Sequence, residues 1–144
     1  MKKLYFVLMA AFVGISAVYA QAGDPLFILF PPYSADLTAV DAEQAIENAE
    51  AFTGIAQILV DNPNYRILVD GHANPVLGSN REEVNTLRPL SLRRAEAAAA
   101  FLVQYYNVDA NRLIVNGAGG RYSPDTNLDR SYSRRVSFVV IQPQ

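Results

Sequence analysis

The chain has no cysteine and no tryptophan, a single histidine, and only two lysines among its 144 residues. The missing cysteines exclude disulfide staples, thiolate metal sites and a cysteine nucleophile. One histidine leaves only carboxylates to complete a metal site, and no D-x-[DN]-x-[DN]-G loop is present. Long apolar runs are also scarce. One stands out, Leu4 to Val18, and it is shorter than the roughly 20 residues that a comfortable membrane span needs. With Lys2 and Lys3 before it and Val18-Tyr19-Ala20 at its end, it reads as an export signal cleaved after Ala20. No cysteine follows the run, so a lipid-modified cysteine cannot tether the mature chain.

Removal of residues 1–20 takes 144 − 20 = 124 residues forward, enough for one domain over 21–144 with one hydrophobic core. Both lysines leave with the signal. The remaining 12 − 2 = 10 basic residues are all arginine and face 14 acidic ones, a net charge of −4. That balance argues against nucleic acid or an anionic membrane surface as the main partner.

Leu26-Phe27-Ile28-Leu29-Phe30, ended by Pro31-Pro32, suits a first strand buried on both faces. From Thr38, with Asp41 as its capping partner, Ala42, Ile46, Ala49, Phe52, Ala56 and Leu59 recur at helical steps until Asp61-Asn62-Pro63. Tyr65 to Asp70 alternates as a second strand closed by Gly71. A long loop is expected over 71–89. A second helix follows, with Leu92, Ala95, Ala99, Leu102 and Tyr106 as its buried stripe. Arg112 to Asn116 reads as a third strand, 118–133 as a second long loop, and Arg135 to Ile141, nearly all apolar, as a last and central strand. The order predicts an α/β fold: a β-α-β-α-β-β mixed sheet with two main helices packed on one face.

Three stretches carry candidate chemistry. Gly71-His72-Ala73-Asn74 lies at the carboxyl end of a strand, a common place for a site. His72 has no recognisable nucleophile motif to serve, so a structural role is favoured over a catalytic one. Gly117-Ala118-Gly119-Gly120 lacks the residues of a phosphate loop and reads as a turn needing positive φ. In Leu90-Ser91-Leu92-Arg93-Arg94-Ala95, Ser91 after Pro89 is a good N-cap, which starts the helix at Leu92. Two arginines then occupy a first turn that already carries the positive end of the helix dipole. Either they reach into water, or they and the free amides receive a carboxylate or phosphate. Arg134-Arg135 is likewise open between a solvated pair and a second anion contact.

Strand-GHxN, LSxxRA at a helix start, GxG with Pro124 after the third strand, and xRRV opening the last strand occur in that order. This arrangement, over about residues 25–142, resembles the OmpA/MotB C-terminal-like family of peptidoglycan-binding domains. Gly71 to Asn74 is similar to the family's GHTD, and Ser133-Arg134-Arg135-Val136 to its NRRV. The resemblance implies a non-catalytic domain without cofactor or metal, in the periplasm and associated with the outer membrane. It would bind the diamino acid of the peptidoglycan stem peptide and link the wall to envelope proteins. It assigns the ligand carboxylate to Arg94, helped by the Ser91-capped amides and with Arg134 beside it, and the ammonium to position 74. Asn74 stands where the family has aspartate, Gly120 where it has an acid, and Ser133 where it has asparagine. The loop between Asn74 and Leu90 is several residues longer than usual, and its Arg81, Glu82, Glu83 and Arg88 either rim the pocket, carry compensating charge or are solvated. A chain that keeps the fold but serves as a protein-interaction scaffold is the alternative.

Overall fold

The structure, a computed structural model, describes residues 26–74, 80–120 and 133–144. The expected export signal and Pro124 lie outside the described residues. β1 (Leu26–Leu29) leads through a 3-10 turn (Leu37–Ala39) to α1 (Ala42–Asp61) and β2 (Arg66–Gly71). A helical turn (Asn80–Glu82) and a π-helical stretch (Glu83–Leu87) run into α2 (Arg88–Tyr106), followed by β3 (Leu113–Gly117) and β4 (Arg135–Ile141). The strands lie in the order β1-β4-β2-β3. β4 is antiparallel to β1 and β2, whereas β3 runs parallel to β2, so the sheet is mixed and β4 is interior as its apolar run implied.

One face of the sheet carries Ile28, Ile67, Val69, Val136 and Phe138, and both helices close on it. Phe52, Ile55 and Leu59 of α1 and Ala95, Ala98 and Leu102 of α2 complete a single buried core. The alanines let α2 approach closely, and Phe52 stacks on Phe101 with centroids 4.6 Å apart while meeting the Phe138 ring at 5.8 Å.

Several local expectations are corrected. β1 is an edge strand and only partly buried, and a side chain takes the place of its missing neighbour. Asn48 of α1 accepts from the Leu29 N–H and donates to the Leu29 carbonyl, both at 2.9 Å. Turning Asn48 to the sheet rotates the helix from the expected stripe: Asn48, Ala51 and Ile55 are buried, while Ile46 is 63% exposed and Ala49 is exposed. Asp41 rather than Thr38 caps α1, accepting from the Gln44 amide at 2.8 Å, while Thr38 belongs to a separate turn capped by Asp36.

The largest correction concerns the second helix. Residues expected to be loop are helical from Asn80 onward, α2 begins at Arg88, and Ser91 is not its N-cap. Pro89 supplies the reason. It has no N–H, and its ring crowds the carbonyl four residues back, so the preceding turn widens and the Arg88 N–H reaches the Glu83 carbonyl. Leu92, Arg93 and Arg94 therefore lie beyond the unpaired amides of a helix start, and Leu92, expected in the buried stripe, is 39% exposed.

Asn48→Ala should leave both Leu29 groups unpaired at a sheet edge and cost about 1–3 kcal/mol. A denaturant midpoint equal to that of the wild type would refute the clasp.

Candidate functional site

Gly71 ends β2 where α2 crosses it, and the crossing is too close for a side chain. A Cβ at Gly71 would lie 1.9 Å from the Ser91 carbonyl oxygen. This approach brings Arg94, in the second turn of α2, against the segments that leave β1 and β2. Its Nε donates to the Ser34 carbonyl at 2.9 Å, Nη1 to the His72 carbonyl at 2.9 Å, and Nη2 to the Pro31 carbonyl at 3.1 Å. The guanidinium carbon also lies 5.7 Å from the centre of the Phe30 ring, within cation–π range. Arg94 is 1% exposed, and among the described residues no carboxylate pairs with it. Burial, and then the neighbouring charges of Arg134 and Arg93, push its pKa down to about 10, which still leaves it a cation at neutral pH.

The other expected ligand residues gather nearby. Asn74 follows His72 by two residues, and its side-chain oxygen is buried without a hydrogen-bond partner. Arg134 is half-buried and donates from Nε to the Phe30 carbonyl at 3.1 Å, while the Phe30 N–H donates to the Arg134 carbonyl at 2.8 Å. Ser91 is fully buried and joins elements instead of capping the helix: its hydroxyl donates to the Arg88 carbonyl and accepts from the Gly119 N–H, both at 2.9 Å. Arg93 is exposed. The structure thus separates the two arginines of the motif, with only Arg94 turned inward.

His72 is buried, and its Nε2 lies 3.4 Å from Asp70 Oδ2, while Nδ1 has no partner. Asn116 Nδ2 donates to the other Asp70 oxygen at 2.7 Å. Burial alone would raise the Asp70 pKa, but the hydrogen bonds from His72 and Asn116, with the electrostatic pull of His72 and Arg135, together hold it below its ordinary value. Among the described residues, no three histidine or acidic side chains converge to hold a metal ion.

Glu83, one of the four charged residues of the long segment, faces the glycine turn. It accepts the Gly120 N–H with both carboxylate oxygens at 3.1 Å and lies 4.0 Å from Arg88 Nε. Gly119 has the positive φ expected of this turn, +67°, and a Cβ there would fall 1.9 Å from Glu83 Oε1. The Gly119 carbonyl accepts from the Ala73 N–H at 2.9 Å, so Glu83 steadies the turn beside Asn74. A carboxylate facing Gly120 across a turn leaves no local sequence signal, since 37 residues separate the partners. Arg81 is exposed.

An open groove of about 430 Å³ lies between α2 and β3, lined by Val84, Arg88, Pro89, Leu92, Val115, Asn116 and Gly117. It shares no residue with the Arg94 cluster.

The model of the OmpA family matches residues 29–135 of the chain. Among solved structures, the OmpA-like domain of FopA1 from Francisella tularensis subsp. tularensis SCHU S4 is similar, with a TM-score of 0.62 and 20% identity over 79% of this chain and 70% of that one. The peptidoglycan-associated lipoprotein from Burkholderia pseudomallei has a TM-score of 0.61 and 20% identity, covering 80% of this chain and 89% of that one. The C-terminal domain of Helicobacter pylori MotB has a TM-score of 0.59 and 20% identity, covering 84% and 87%. At these identities the likeness concerns the fold. No curated protein matches the chain in sequence.

Two outcomes are expected of this network. Gly119→Ala should destabilise the fold by about 1–3 kcal/mol through the strained φ and the Glu83 contact, and Glu83→Ala in the same chain should recover part of that loss. Strictly additive effects in a double-mutant cycle would refute the contact. Because the folded-state pKa of Asp70 is depressed, its contribution is present above the unfolded value of about 3.9 and is lost as pH falls through the folded one. The melting temperature of Asp70→Asn should therefore fall less than that of the wild type between about pH 5 and pH 2.5; parallel curves would contradict the assignment.

Proposed function

The chain belongs to the OmpA family, and from that premise we propose that it binds peptidoglycan without catalysis in the bacterial periplasm, close to the outer membrane, and links the wall to envelope proteins. The observation that carries this is Arg94. A buried cation with no carboxylate partner among the described residues, flanked by Arg134 and Arg93, favours the arrival of an anion. Three of its five N–H groups hold backbone carbonyls, which leaves two for a ligand carboxylate. The unpartnered oxygen of Asn74 supplies the acceptor for the nitrogen of the same stem-peptide residue. Arg134 adds positive potential beside them. Ser91 acts on this site indirectly, by fixing the Gly119 turn to α2.

The name of one similar structure points the same way, a peptidoglycan-associated lipoprotein. The expected export signal fits a place outside the cytoplasm, and among the described residues no helix is long and apolar enough to cross a membrane. An envelope scaffold that recognises protein instead of wall is the alternative. Two observations favour it: the Arg94 guanidinium already holds three carbonyls, and the groove beside β3 exposes Val84, Leu92 and Val115.

Co-sedimentation with purified sacculi at low salt separates the two. The wild type should pellet with the wall. Arg94→Lys, which retains charge but loses the planar fork, should bind about tenfold more weakly. Arg134→Gln should weaken binding by a smaller factor, with an unfolding midpoint near that of the wild type. Failure of the folded wild type to bind would overturn the wall-binding role and leave the scaffold.

A further inference from the structure

Taking the stem-peptide role of this site as the premise, we propose that the site selects a carboxylate whose neighbouring nitrogen is an uncharged amide N–H, and disfavours one that carries a free ammonium. Two groups set the chemistry. Arg94 offers a buried positive charge, and the Asn74 oxygen offers a buried acceptor with no formal charge. An acceptor of this kind is satisfied by one neutral N–H. An ammonium brings three donors and a full charge, and out of water that charge needs a counter-ion.

The described residues around the site do not provide one. Asp70 is engaged by His72 and Asn116. Glu83 is held on the Gly120 amide and faces Arg88. Arg94 and Arg134, with Arg93 nearby, leave the local balance positive. A zwitterionic ligand end therefore brings its cation beside Arg94 and Arg134, where low dielectric magnifies the repulsion. An acylated nitrogen removes that cost and still donates to Asn74. In a wall polymer this describes an amine closed into a peptide cross-link, with the adjacent carboxylate free for Arg94.

The test is calorimetric titration of the full mature chain at neutral pH with diaminopimelate and with its bis-N-acetyl derivative. The wild type should bind the acetylated compound about tenfold more tightly. Asn74→Asp restores a carboxylate at nearly the same volume and should reverse the order, with thermal unfolding confirming that the variant is folded. Equal affinities, preference of the wild type for the free amine, binding of neither compound, or an unchanged order in Asn74→Asp would each overturn the proposal. Sacculus binding by the wild type, measured alongside, reports on the wall-binding role separately: pelleting together with any overturning result leaves that role in place and removes only the selectivity.

Discussion

Arg94 donates to the carbonyls of Pro31, Ser34 and His72, and so joins α2 to the segments that leave β1 and β2. The His72 carbonyl lies in the interior and those of Pro31 and Ser34 on a partly exposed segment, and hydrogen bonds to a charged donor are worth about 1.5–3 kcal/mol each. The cost is a cation taken out of water. That tension is the physical basis of the proposed site, because the guanidinium that steadies the fold is also the one proposed to receive an anion.

A comparison within the molecule shows what sets Arg94 apart. Arg112 also donates to three backbone carbonyls, those of Tyr65, Leu59 and Asn62, around the carboxyl end of α1. There the helix dipole presents partial negative charge to the arginine. Arg112 is partly exposed, so water screens what the carbonyls do not. Arg94 has neither advantage. It is buried within α2 with Arg93 and Arg134 as electrostatic neighbours. Three carbonyl dipoles serve both side chains, but Arg94 carries its charge out of water and beside like charges.

The surroundings of Arg94 are held by contacts that interlock. Ser91 and Glu83 fix the Gly119–Gly120 turn, that turn accepts from Ala73, and Ala73 precedes Asn74. The π-helical stretch forced by Pro89 places Glu83 on Gly120, at the position where the resemblance placed an acid. The longer segment between Asn74 and Leu90 thus returns a carboxylate to the turn from a different part of the chain. That carboxylate is engaged by backbone and Arg88, and among the described residues no carboxylate pairs with Arg94.

The amino-acid sequence determined the element order, the central place of β4 and the cluster of candidate residues, because these depend on apolar periodicity, strand-ending glycines and motif order, all local in the chain. It also marked Gly117-Ala118-Gly119-Gly120 as a turn needing positive φ, which Gly119 supplies. Tertiary structure decided the rest. The rotation of α1 depends on Asn48 meeting Leu29, 19 residues away, and the start of α2 depends on how Pro89 is accommodated by the turns before it. Most of all, the first-turn position inferred for Arg93 and Arg94 was replaced by one within the helix. The charge that local rules made unfavourable through the helix dipole is unfavourable instead through burial, which only packing against β1 and β2 could reveal.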